Sequence, residues 1–135
     1  MEINRPSGFV FSISALEHVQ GDEQTYRNIR ADIDRVMKPG AYSLHCFDVV
    51  MQADSVWTNL LLPYLFETTD PINPFIPFGD VRLDPALFCM TEKAYASGWQ
   101  NITKKPYNEF GRPFSYNILW QKKDGPSRIT KDGKL

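Results

Sequence analysis

The sequence has no long hydrophobic run, few cysteines and almost no net charge, and each shortage excludes something. Its longest apolar stretches fall well short of the roughly 18 to 20 residues that a membrane-spanning helix needs. The N-terminus, Met1-Glu2-Ile3-Asn4-Arg5-Pro6, lacks the basic start and apolar run of a signal peptide. Cys46 and Cys89 are too few for a disulfide framework, so a cytoplasmic chain with free thiols is the expectation. A net charge of -1 gives no global attraction to nucleic acid or to an anionic membrane. There is no internal repeat. What is present is the composition of an ordinary globular protein, 42% hydrophobic and 23% charged, which excludes a disordered tail, a collagen-like rod and a coiled coil. The 135 residues are one domain's worth of chain. Aromatic residues and prolines are plentiful and fall mostly in the second half.

Residues 9–14, Phe-Val-Phe-Ser-Ile-Ser, follow the turn signal Pro6-Ser7-Gly8 and read as a buried strand. Asp22 is a fitting N-cap for a helix whose apolar stripe is Tyr26, Ile29, Ile33 and Val36 or Met37, with Arg27, Arg30, Asp32 and Asp34 between. Pro39-Gly40 ends it. Residues 41–50 read as a second strand, which makes a strand–helix–strand unit and predicts a parallel pair. Ser55–Phe66 fits a helix. Residues 67–81, with Pro71, Pro74 and Pro77 among Phe75, Ile76 and Phe78, read as an extended apolar excursion, either a loop packed on the core or a substrate lid. A helix is expected from Asp84-Pro85 to Ser97, a short strand at Trp99–Thr103, and a closing strand at Phe114–Gln121. Lys122–Leu135 carries five Lys or Arg against two Asp and reads as a solvated tail.

Two phrases go further. Ser12-Ile13-Ser14-Ala15-Leu16-Glu17-His18-Val19 directly follows the first strand, and Arg35-Val36-Met37-Lys38-Pro39-Gly40 directly precedes the second. In this order and spacing they resemble the fourth-strand motif and the following helix end of class I S-adenosylmethionine-dependent methyltransferases, of the type 11 kind. The specific resemblance covers residues 9–44, and topology extends it to 122. It implies an α/β fold, a partial Rossmann-like methyltransferase fold with strands equivalent to 4-5-7-6, flanking helices and an antiparallel last strand. The family's glycine-rich cofactor turn has no counterpart. The glycines, at 8, 21, 40, 79, 98, 111, 125 and 133, form no cluster, and the acidic residue that holds the ribose is also missing. The resemblance therefore implies the C-terminal portion of such an enzyme. Residues 1–122 form a partial methyltransferase-like domain and 123–135 a flexible basic tail. In this arrangement the first strand lies at an edge, an association hazard that predicts pairing with a second copy or with a missing N-terminal half.

By the same resemblance, Ser14, Ala15, Leu16 and Glu17 line one wall of the S-adenosylmethionine pocket. His18 is a candidate general base for transfer of the methyl group to an unidentified acceptor, and Asp48, near the carboxyl end of the second strand, is its candidate companion. Against this, Glu17 and His18 also fit a structural role, anchoring the loop to the next helix. His45 is three residues from Asp48, on the opposite face of an ideal strand, and reads as a satisfied sheet histidine. His18, His45, Cys46 and Cys89 have no metal-ligand spacing. Trp57, Tyr64, Phe66, Phe75 and Phe78 are either an aromatic acceptor pocket, suited to a small hydrophobic acceptor, or ordinary packing. The competing reading of the chain is a non-catalytic remnant or interaction module that pairs through its exposed strand edge. Neither a membrane nor nucleic acid is expected as a partner.

Overall fold

The computed structural model describes residues 6–123. They form an α/β unit with a mixed open sheet of four strands and flanking helices. Strand β1 (Ser7–Ile13) leads through a single 3-10 turn at Leu16–His18 into helix α1 (Glu23–Val36), and α1 into the long strand β2 (Met37–Met51). The β1–β2 pair is parallel, with Phe9 opposite Tyr42 and Ile13 opposite Cys46. The expected strand–helix–strand unit is therefore present.

Its local causes are those the sequence offers. The Asp22 carboxylate accepts from the Thr25 amide at 3.1 Å and starts α1. The stripe Tyr26, Ile29 and Ile33 packs against the core. The helix stops at Val36, earlier than Pro39-Gly40. Lys38 precedes a proline and is driven out of the helical region, so Met37 is already extended. Lys122 then caps the end, its ammonium donating to the carbonyls of Asp34 (2.8 Å) and Met37 (2.9 Å).

After β2 the structure departs from expectation. Ser55–Phe66 is not one helix but a two-residue strand, β3 (Val56–Trp57), followed by α2 (Leu61–Thr68). Strand β3 runs antiparallel to the end of β2. The excursion at 67–81 ends in a short helix, α3 (Phe78–Leu83), and the helix expected from residue 84 begins only at α4 (Glu92–Ser97). There the Thr91 hydroxyl accepts from Ala94 and sets the start. Trp99–Thr103 is helix α5, not a strand, and a last short helix α6 (Tyr107–Phe110) precedes strand β4 (Arg112–Gln121). Among the described residues the sheet thus lacks the outermost of the four strands expected in the order 4-5-7-6. The edge it would occupy is taken. Ile72 donates to the Leu119 carbonyl at 2.7 Å, and the Asn73 side chain bonds Asn117 and Leu119. Strand β4 is antiparallel to β2, with Phe47 opposite Tyr116 and His45 opposite Ile118, as expected for the last strand.

One face of the sheet carries the core. Phe47, Val49, Leu61, Leu62, Leu65 and Ile118 are fully buried there, beneath α1 and α2. The expected burial of β1 is not found: on the other face its residues Phe9, Phe11 and Ile13 are 52%, 61% and 65% exposed, beside Tyr42 of β2, because no element among the described residues covers that face. No strand among the described residues pairs with the outer edge of β1. No helix among them is long and apolar enough to cross a membrane. Lys123, the first residue of the expected tail, pairs with Asp70 at 3.0 Å; the rest of that expectation, residues 124–135, lies outside the described residues.

Candidate functional site

The parallel pair β1–β2 ends where two loops leave the sheet, and the residues singled out in the sequence meet there. Ser14 continues the ladder, its amide donating to the Cys46 carbonyl at 3.0 Å. Its φ of +52° then turns the chain sharply through the left-handed region, which a non-glycine residue enters at a cost. That turn aims the Ser14 hydroxyl at Asp48, to whose Oδ1 it donates at 3.0 Å. Glu17 follows in the 3-10 turn with its side chain 2% exposed, and neither carboxylate oxygen finds a hydrogen-bond partner. The His18 imidazole stands outside it, 79% exposed, with Nε2 3.8 Å from Glu17 Oε1.

Ser14, Glu17, His18 and Asp48 are thus one cluster at the carboxyl end of a parallel pair, the end where α/β sheets bind ligands. Ala15 contributes backbone, its carbonyl accepting from the His18 amide at 3.2 Å. Leu16 instead turns its side chain into the core. Burial holds the Glu17 carboxyl above its ordinary value of 4.5, and the nearby Asp48 raises it further. An unpaired buried carboxyl beside a second carboxylate either keeps a proton or receives a cationic group.

The turn is held by a residue the sequence reading passed over. Asn59 donates through Nδ2 to the carbonyls of Glu17 (2.9 Å) and Val19 (2.7 Å), while its Oδ1 accepts from the Leu61 amide at 2.6 Å. It starts α2 and clamps the 3-10 turn at once. An asparagine directly ahead of the apolar run Leu60-Leu61-Leu62 is a helix-start signal, which the broader helix assigned to 55–66 hid.

His45 stands apart from the cluster, on the core face. Its Nδ1 bonds the Ser12 hydroxyl at 2.7 Å and its Nε2 the Ser43 hydroxyl at 2.6 Å, and its ring packs on Trp120. With both nitrogens satisfied and burial lowering its pKa to about 4, it is a neutral structural histidine. The five aromatic residues of the expected acceptor pocket do not converge. Phe66, Phe75 and Phe78 pack around Tyr116, Tyr64 meets Tyr26, and Trp57 is half exposed. The Tyr116 hydroxyl accepts from the Ile76 amide (2.6 Å) and donates to its carbonyl (2.8 Å), which ties the excursion down as packing. No group of three metal-ligating side chains occurs among the described residues. Cys46 and Cys89 are unbonded.

No family model, no curated protein and no solved structure matches this chain.

The buried position of Glu17 has a pH signature. A carboxyl whose folded pKa is raised binds its proton more tightly in the folded than in the unfolded chain. Stability is therefore retained below pH 4.5 and lost as pH rises through the raised value. Glu17→Gln removes that loss. The variant should be more stable than the wild type at pH 7, with the difference shrinking as the pH falls toward 4. Paired urea titrations at the two pH values check this.

Proposed function

We propose that the chain is the C-terminal portion of a class I S-adenosylmethionine-dependent methyltransferase, working in the cytoplasm and inactive alone. The observation that carries the reading is the convergence of Ser14, Glu17, His18 and Asp48 at the carboxyl end of β1–β2. They are the residues that the methyltransferase-like phrase brings with it, plus one from a separate strand. The partial Rossmann-like arrangement supports it too: a parallel strand–helix–strand unit followed by an antiparallel last strand.

S-adenosylmethionine fits this wall in charge. Its sulfonium and ammonium are cationic, and the buried Glu17 carboxyl lacks a partner. When bound, the cofactor supplies a methyl group on a good leaving group, so orientation provides much of the acceleration. Ser14 and Glu17 would hold the donor, with Ala15 and Leu16 shaping the wall through the backbone. Asp48, kept in place by Ser14, orients the exposed edge. His18, free of the core and open to solvent, can take a proton from the acceptor.

The bare apolar face of β1 belongs to this reading. Parallel sheets are covered on both faces, and Phe9, Phe11 and Ile13 lie uncovered where the cofactor half of such a domain would pack. The same face supports the second reading, a non-catalytic module that pairs through β1 with another chain.

The two readings separate on one titration. S-adenosylmethionine added to the 135-residue chain should shift amide resonances at Ser14–His18 and Asp48, with affinity no tighter than about millimolar, because the preorganised glycine-rich donors are lacking. No shift at about ten times that concentration, or shifts confined to other regions, would leave only the pairing module.

A further inference from the structure

Away from the Glu17 cluster, Met51, Gln52 and Ala53 meet the start of β4 and helix α6 around a half-open cleft of about 360 Å³. Two arginines line it, Arg82 from α3 and Arg112 from the first position of β4. Arg82 Nη2 donates to the Ala53 carbonyl at 2.5 Å, which ties the guanidinium to the rim and leaves its other N–H groups available. Arg112 lies opposite Met51 in the β2–β4 ladder.

The backbone keeps this geometry tight. Gly111, at φ +115°, passes so close to β2 that an added Cβ would stand 2.6 Å from the Met51 carbonyl oxygen. Gln52 braces the same wall by donating to the Phe110 carbonyl at 3.3 Å. Among the described residues neither arginine forms an ion pair, and Glu109 is the only carboxylate lining the cavity. Both guanidinium groups are exposed and border the same cleft, so each can offer N–H donors to an oxyanion held there. Their planar forks suit carboxylate or phosphate oxygens.

We propose that this cavity binds the oxyanion of a small ligand, a carboxylate or a phosphate ester, between Arg82 and Arg112. Anion binding here does not depend on the methyltransferase reading. Asp48 and Met51 are three residues apart on β2, about 10 Å, and point to opposite faces of the strand, so the cleft is a site separate from the Glu17 cluster.

The test is calorimetric titration of the full chain at low salt with benzoate and, separately, inorganic phosphate. One saturable site is expected, weakened about tenfold or more by Arg112→Gln and by Arg82→Gln, and unchanged by Lys93→Gln on α4. A preference for benzoate assigns a carboxylate ligand, and a preference for phosphate assigns a phosphate ester. Arg112 is exposed at a strand end, so its variant keeps the test valid should Arg82→Gln lose structure with its Ala53 bond; circular dichroism checks each fold. Saturation by neither anion overturns the proposal. So does binding that Arg112→Gln leaves intact, or that Lys93→Gln weakens equally. The S-adenosylmethionine titration reads a different cluster, so either result can fail without the other.

Discussion

Lowering the pH from 7 to 4 is expected to cost the folded chain about 3 kcal/mol through His45 alone. The histidine is 2% exposed, held between the Ser12 and Ser43 hydroxyls and packed on Trp120. Burial disfavours its charged form and lowers its pKa from 6.5 to about 4. Between those values the unfolded chain binds a proton that the folded chain refuses. The unfolded state then carries more protons, and stability falls as the pH falls. A shift of this size corresponds to about 3 kcal/mol at roughly 1.4 kcal/mol per unit. The contribution is complete above pH 6.5 and gone near 4.

His45→Gln isolates the effect, since an amide can bond both serines but does not titrate in this range. Stability measured by urea unfolding should fall between pH 7 and 4 by about 3 kcal/mol less in the variant than in the wild type. A His45 imidazole midpoint near 6.5 in an NMR titration would contradict this account. Glu17 acts in the opposite sense over its own window, so the wild-type profile is the sum of two opposed slopes. The single variants separate them.

Asn59→Ala should cost about 3 kcal/mol, close to 1 kcal/mol for each of three hydrogen bonds. Two of these hold the carbonyls of Glu17 and Val19, and the third starts α2 at Leu61. The loss therefore falls on the candidate site and on the core at the same time, because Leu61, Leu62 and Leu65 are all fully buried. Asn59→Asp keeps an acceptor for the Leu61 amide but loses both donations, so it should retain part of the helix contribution and none of the clamp. Amide exchange at residues 14–19 should accelerate in both variants. An Asn59→Ala stability within about 0.5 kcal/mol of wild type would show that the 3-10 turn is held by other contacts.

How much of this could be read from the chain depends on the range of the forces involved. The unit β1–α1–β2 was legible because each part has a local cause. Asp22 caps, Tyr26, Ile29 and Ile33 keep a helical spacing, and Lys38-Pro39 forbids continuation. The cluster at Ser14, Glu17, His18 and Asp48 was legible in its membership, since both segments end at the same edge of a parallel pair. The burial of Glu17 and its lack of a partner were not, because they depend on how the turn is seated. Trp99–Thr103 shows the limit most clearly. Trp99 and Ile102 suit a strand as well as a helix, and the decision came from elsewhere in the chain. Ile72 and Asn73 occupy the outer edge of β4, leaving no ladder for that segment to join.

By itself, the sequence determined the class of the fold and the parallel pair. Capping, proline sterics and hydrophobic period act over a few residues and need no partner. Only the tertiary structure decided that Asn59 clamps the turn, that the Glu17 carboxyl is buried, and that Arg82 and Arg112 border one cleft. Those arrangements join residues tens of positions apart, and hydrogen bonding and burial select among them only once the chain has closed on itself.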